Sequence, residues 1–217
     1  MRSLIEPASL QGVAMRADWF VFIAAGIAVG AFVYACIFWC LIAYRRKDGR
    51  SPARFEGNPP LEILYVAIPL AIVCGLFAYT FLIEIPVDRV SAAPQSRVAV
   101  TAFRWSWRFA YPGTGVTVSG TPMHPPTLYL PLRRTTEIDL TSVDVTHSFW
   151  VPAFLFKRDA IPGMTNVFDV TPDRLGVFPS RCAQFCGLDH AWMTFYVDVV
   201  PDVAYDRYLA SSGALRP

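Results

Sequence analysis

The run Cys182-Ala-Gln-Phe-Cys186-Gly-Leu-Asp-His190-Ala-Trp-Met193 gathers two thiols, an imidazole and a thioether within one short segment. Thiolate and thioether are soft ligands, and together with imidazole they favour copper. A mononuclear copper loop uses one Cys with His and Met, which leaves a thiolate spare. Two thiolates bridging two copper ions employ all four side chains. Two coordination shells then need a second histidine. His147, in Thr141-Ser-Val-Asp-Val-Thr-His-Ser-Phe-Trp150, follows a strand-like run. A β-sandwich sets such a strand end beside the loop preceding the last strand, so the sequence gap is no obstacle. Two other readings stand next to this one. A Cys182–Cys186 disulfide is the ordinary fate of paired cysteines in an oxidising compartment. Zinc is the other, although it seldom takes thioether and more often uses C-x2-C pairs. The mixed-ligand spacing favours a copper site with two ions. His124, in Met123-His-Pro-Pro126, has no comparable company and reads as a loop residue.

Such ligands need a rigid frame, and residues 84–217 are patterned to supply one. Short alternating runs occur at Val98–Ala102, Thr135–Leu140 and Phe195–Val199. Turn signals separate them at Tyr111-Pro-Gly113, Pro125-Pro126, Ile161-Pro-Gly163 and Thr171-Pro-Asp173. Short strands at this spacing imply a β-sandwich or barrel. The tail from about Asp202 to Ala210 reads as a helix with Asp202 at its N-cap. In Phe103-Arg-Trp105-Ser-Trp107-Arg-Phe109, strict alternation places all four aromatics on one face of a single strand.

The first 83 residues are of another kind. No residue from Trp19 to Tyr44 is charged, nor any from Ile63 to Ile83. A helix needs roughly 20 apolar residues to cross a bilayer core, so both runs qualify. Trp19, Phe20, Trp39 and Tyr44 bracket the first run as an interfacial aromatic belt would. Residues 45–61 carry Arg45, Arg46, Lys47, Arg50 and Arg54 against Asp48 and Glu56. That excess puts this loop in the cytoplasm and both termini outside. Residues 1–18 read as an external segment, and 19–84 as an uncleaved hairpin anchor rather than a secretory signal. Cys36, Cys40 and Cys74 fall in the apolar runs, where packing explains them. Residues 84–217 carry equal numbers of acidic and basic side chains, so the net charge of +2 belongs to the anchor. A balance of 17% charged and 54% hydrophobic residues excludes disorder. No strongly basic surface is left for a nucleic acid.

These motifs together resemble subunit II of haem–copper cytochrome c oxidases, the subunit carrying the binuclear CuA centre. Asp144-Val-Thr-His-Ser-Phe, Val151-Pro, Lys157-Arg-Asp-Ala-Ile-Pro-Gly163 and Asn166 are similar to the family's D-V-x-H-S-W, V-P and K-x-D-x-I-P-G-x-x-N. The ligand loop is similar to its C-x-E-x-C-G-x-x-H-x-x-M. The resemblance implies a cupredoxin-type β-barrel, residues 85–217, standing on two transmembrane helices. It implies that Cys182 and Cys186 bridge the coppers, with His147 and Met193 on one ion and His190 and the backbone carbonyl of Gln184 on the other. It implies docking to a subunit I and further oxidase subunits in a bacterial plasma membrane. Electrons would come from cytochrome c and go to haems that reduce oxygen and drive proton pumping. Trp105 matches the family's tryptophan of electron entry. Glu62, opening the second helix, matches a glutamate near the cytoplasmic mouth of a proton path, while a carboxylate at a helix N-terminus needs no function of its own. Asp144 and Asp159 are the acidic residues expected to meet cytochrome c. The family's usual glutamate between the cysteines is Gln184 here. Its neutral amide is a poorer ligand for a hard ion, which argues against an interface magnesium or manganese.

Membrane-anchored copper chaperones of the Sco type share a C-x3-C but have a thioredoxin fold and a distant histidine. Nitrous-oxide reductase shares the copper loop without the hairpin, and quinol oxidases share the architecture without the ligands. No C-x-x-C-H is present, so no fused cytochrome c is expected.

Overall fold

The computed structural model of the chain describes residues 6–45 and 57–211. Arg46, Lys47, Asp48, Arg50, Arg54 and Glu56, on which the cytoplasmic-loop reading largely rests, lie outside the described residues. The chain divides into two compact units: Ala17–Glu84, and a second unit that gathers residues up to Arg16 with those from Ile85 onward.

Two long helices dominate the first part of the chain, α1 (Leu10–Ala43) and α2 (Pro59–Asp88). At 34 and 30 residues, both are long and apolar enough to cross a membrane. Their apolar side chains are hardly covered by the protein itself, as Phe77 and Ile42 illustrate at 71% and 77% exposed. Surfaces of this kind are matched by lipid or by another apolar chain. Thr80 donates to Asp18 across the hairpin at 3.1 Å. Asn58 caps α2: its Oδ1 accepts Leu61 N–H, and its own N–H donates to Glu62 Oε1 at 3.2 Å.

The start of α1 belongs to the other unit. Ser9 is its N-cap, with Oγ accepting Gly12 N–H at 3.0 Å. Ala8 N–H donates to Ala153 O, and Leu10 N–H to Thr171 O. A Cβ on Gly12 would come within 2.5 Å of Phe154 O, so only glycine fits there.

Ten strands follow among the described residues: β1 (Ser96–Phe103), β2 (Ser106–Ala110), β3 (Thr117–Ser119), β4 (Thr127–Pro131), β5 (Thr136–Ser142), β6 (His147–Val151), β7 (Phe156–Ala160), β8 (Asn166–Val170), β9 (Gly176–Cys182) and β10 (Thr194–Val200). They form two five-stranded sheets, β3-β2-β1-β5-β8 and β4-β10-β9-β6-β7. The β1–β5 and β4–β10 pairs are parallel and the others antiparallel. This is the expected all-β domain behind a two-helix hairpin. Alternation makes the core, with Val98, Val100 and Ala102 of β1 buried with Leu128, Ile138, Leu140, Val197 and Val199. Burying a side chain of this size contributes about 1.5–3 kcal/mol.

The single aromatic strand expected over 103–109 is instead two strands. Arg104 and Trp105 form the turn of a hairpin in which Phe103 pairs with Ser106. Reversing the chain there breaks the alternation. Trp107 and Phe109 enter the core, while Phe103 lies on the outer face with the Arg108 guanidinium 5.7 Å above its ring. The terminal helix α3 spans Asp202–Ala210, as expected, but Pro201 rather than Asp202 is its N-cap. Asp202 lies inside the first turn and pairs with Arg134 at 3.1 Å.

Candidate metal centre

Three neighbouring strand ends assemble the site. His147 opens β6 and Cys182 closes β9, and these strands pair with Phe149 opposite Cys182. Ala183 N–H donates to Ser148 O, and Cys182 N–H donates to Met193 O at 2.9 Å. Met193 immediately precedes β10. The ladders thus bring residues 147, 182 and 193 to one end of one sheet, and the loop 183–192 folds over them.

Donor atoms converge there. The Sγ atoms of Cys182 and Cys186 and a ring nitrogen of His147 lie within 4.8 Å of one another, all on buried residues. Cys182 Sγ is 4.0 Å from His147 Nδ1 and 4.0 Å from Cys186 Sγ. Cys186 Sγ lies 3.5 Å from His190 Nδ1 and 3.7 Å from the fully buried Met193 Sδ. The Gln184 carbonyl is 3.2 Å from Cys182 Sγ. Both cysteines are free thiols, so the disulfide alternative is not the state described. Trp107, Phe149 and Phe195 back the site with ring centroids 4.8–5.7 Å apart. Such a wall keeps water from the ligands and resists their displacement.

The electrostatics follow from burial and neighbours. Burial opposes ionisation of Cys182, yet hydrogen bonds from His147 and Ser148 N–H outweigh it and lower its pKa. Burial and the neighbouring Cys182 push the Cys186 thiol up to about 12. Burial likewise works against a charge on Asp144, but hydrogen bonds from His147, Arg104 N–H and Val145 N–H prevail and hold its carboxyl down at about 2. His147 is raised, because Cys182 and Asp144 outweigh its desolvation. A soft cation bound here would replace the thiol protons.

Trp105 is half-buried, and its indole N–H donates to Cys186 O at 3.2 Å. Its ring lies against Gly187, whose φ of +119° favours glycine and where an added Cβ would press on the indole at 3.2 Å. Glu62 lies in the helical unit, where it caps α2. His124 closes a surface turn with Thr121. Asp144, expected as a docking carboxylate, is turned inward: His147 Nε2 donates to its Oδ1 at 2.8 Å and Arg104 N–H to its Oδ2 at 2.7 Å. This partnership was missed from sequence, although an Asp three residues before a ligand His was there to be noticed.

Residues 124–200 match the family model described as cytochrome C oxidase subunit II, periplasmic domain. The probable cytochrome c oxidase subunit 2 of Streptomyces avermitilis is 38% identical over 226 aligned positions, covering 86% of this chain and 71% of the relative. That of Mycobacterium tuberculosis H37Rv is 29% identical over 89% of this chain and 70% of its own. Among solved structures, the periplasmic domain of subunit II of cytochrome oxidase from Bradyrhizobium japonicum superposes with a TM-score of 0.52 at 26% identity, over 57% of this chain and 96% of its own. A second neighbour, at 27% identity over 57% of this chain and 96% of its own, has a TM-score of 0.51. It is a subunit II of cytochrome c oxidase in a mixed disulfide with a thioredoxin-like protein.

Proposed function

Because the chain belongs to the cytochrome c oxidase subunit II family, we propose that it is the electron-entry subunit of such an oxidase. It takes electrons from cytochrome c and delivers them to the haems of a subunit I that reduces oxygen and pumps protons. Two copper ions would be held by Cys182, Cys186, His147, His190, Met193 and the backbone carbonyl of Gln184. The observation that carries this is the Met193 thioether, fully buried and 3.7 Å from Cys186 Sγ. A thioether added to two thiols and two imidazoles fits copper better than zinc. Bound copper would supply a one-electron carrier whose charge change is spread over two metals and two sulfurs, so that little reorganisation accompanies each transfer.

The protein's own residues provide the rest. Cys182 and Cys186 would hold the metals in a water-poor pocket, and Trp105, half-buried beside it, would be the point of electron entry. Phe185, Leu188 and Trp192 around the loop are 77%, 89% and 68% exposed. They form an apolar surface of the sort a partner protein covers. With a neutral outer domain and Asp144 turned inward, cytochrome c would be steered less by charge than by this surface. Gln184 supplies a carbonyl but no carboxylate, so the proposal stops at copper and includes no interface magnesium or manganese. Glu62 is proposed to stand at a proton entry to subunit I.

In this reading α1 and α2 anchor the chain in the lipid of a bacterial plasma membrane, with the β unit and both termini outside. The docking of Ala8 on Ala153 supports a shared side for the N-terminal segment and the β unit. The test is to purify the full chain in detergent, add copper, and count metal. Two coppers per chain, with one unpaired electron shared by two equivalent nuclei, support the proposal. One copper, tightly retained zinc, or a Cys182–Cys186 disulfide that survives copper addition overturns it.

A further inference from the structure

We propose that Asp144 is a positioning residue whose one carboxylate clamps the imidazole of His147 to the Arg104–Trp105 turn, tying a metal ligand to the point of electron entry. The inference rests on the copper reading above for its functional meaning, but its geometry stands without metal. Oδ1 accepts His147 Nε2–H at 2.8 Å and Val145 N–H at 2.6 Å. Oδ2 accepts Arg104 N–H at 2.7 Å, and the Arg104 guanidinium lies 3.5 Å away.

Two consequences follow. In the neutral ring a proton on Nε2, held by a carboxylate, leaves Nδ1 bare, and Nδ1 is the atom facing Cys182 Sγ. Asp144 therefore selects the tautomer that can bind a metal and stops the ring from rotating. The second consequence concerns the turn. Arg104 is fixed by Asp144 through its backbone, and the next residue, Trp105, is fixed to Cys186 O through its indole. One two-residue turn is thus pinned from both sides of the site, by a residue next to His147 and by a cysteine of the ligand loop.

The alternative for Asp144 is a free surface charge that meets a partner. Its side chain is 19% exposed, both oxygens already have donors, and the Arg104 guanidinium offsets its charge. A carboxylate so engaged has little field left to steer a partner.

The test compares the full-length wild type with Asp144→Asn and Asp144→Ala in detergent micelles, labelled with 15N at histidine and tryptophan. Without metal, and at a pH high enough for the ring to be neutral, the remaining proton of wild-type His147 should sit on Nε2. Asp144→Ala should mix the two tautomers and speed hydrogen exchange of the Trp105 indole about tenfold or more, with Trp107 in the core as the unchanged control. Asp144→Asn keeps the size of the side chain and serves if the alanine variant does not fold. An amide cannot accept on both sides, so it should move both signals in the same direction. In competitive titration with copper alone, affinity should fall about 10- to 100-fold. Unaltered tautomer and indole exchange in Asp144→Asn would sink the clamp. Failure of the wild type to bind copper, with the metal-free signals as expected, would overturn the copper reading and leave the clamp standing.

Discussion

The indole N–H of Trp105 donates to the backbone carbonyl of Cys186 over 3.2 Å, so one hydrogen bond joins a half-buried surface ring to the backbone of a cysteine in the candidate metal centre. Only a turn at residues 104–105 allows this contact. A continuous strand would have carried the indole along the sheet instead.

Removing that ring should disconnect the pocket from its donor without emptying it. Trp105→Ala is expected to slow reduction by cytochrome c roughly tenfold or more, the equivalent of about 1.4 kcal/mol, at unchanged copper content. Stopped-flow reduction of the copper-loaded chain measures the rate. An unaltered rate removes Trp105 from the electron-entry role.

Met193 both packs and, on the proposal, binds metal, and one substitution separates the two. Met193→Leu preserves volume and should cost less than about 1.5 kcal/mol of stability. It deletes the sulfur, so the copper spectrum and midpoint potential should shift while unfolding by urea barely changes. An unmoved spectrum would show that Met193 only packs.

Glu62→Gln should keep the Asn58 N–H contact, since an amide oxygen can accept it as well. The helix should therefore be unaffected. Turnover of the assembled oxidase should fall several-fold if Glu62 feeds protons to subunit I, and oxygen consumption in membranes reads this. Full turnover would leave Glu62 as a cap alone.

Tyr111 plugs an open strand edge. Pro126 O and Leu132 N–H bond to β10, which turns Tyr129 the other way along β4. Tyr111 Oη accepts Tyr129 N–H at 2.8 Å and donates to Tyr129 O at 3.2 Å. Tyr111→Phe leaves that N–H unpaired and should cost about 1–3 kcal/mol in urea unfolding.

The same aromatic cluster predicts alkaline sensitivity. Burial first, then neighbouring phenols, raises Tyr111 well above the usual tyrosine value, and burial raises Tyr208 to about 12. Raised folded-state values mean that the stability is whole below pH 10, where the unfolded chain still keeps these protons. Above pH 10 the unfolded state releases them first, so stability falls, by up to about 1.4 kcal/mol per pH unit per tyrosine. For Tyr208 the loss runs from about pH 10 to 12. Urea midpoints at pH 8 and pH 11 check this, and equal midpoints would refute it.

Much of the molecule was legible before folding because the relevant signals are local. A charge-free run as long as Trp19–Tyr44 makes a helix long and apolar enough to cross a membrane, and alternation in Val98–Ala102 or Phe195–Val199 belongs to strands with one face buried. The soft donors from Cys182 to Met193 sit close enough in the chain to announce metal chemistry unaided. The reading failed where a local pattern had two solutions. Phe103–Phe109 alternates as one strand or as two arms of a hairpin, and packing of Trp107 and Phe109 beside Phe195 goes with the hairpin. Asp202 was a sound N-cap by residue type, but its pairing with the distant Arg134 draws it into the first turn.

The sequence by itself determined which atoms could serve: two thiols, two imidazoles and a thioether, on an outer domain with an apolar hairpin. Tertiary structure alone decided how those atoms are held. His147 reaches Cys182 only because β6 pairs with β9. Asp144 meets His147 across only three residues, but it becomes the partner of Arg104 only because the β1–β2 turn folds back over the end of β5. Both outcomes depend on contacts between residues some 35 to 40 positions apart. No local preference encodes such contacts; they form when the two sheets close on a shared core.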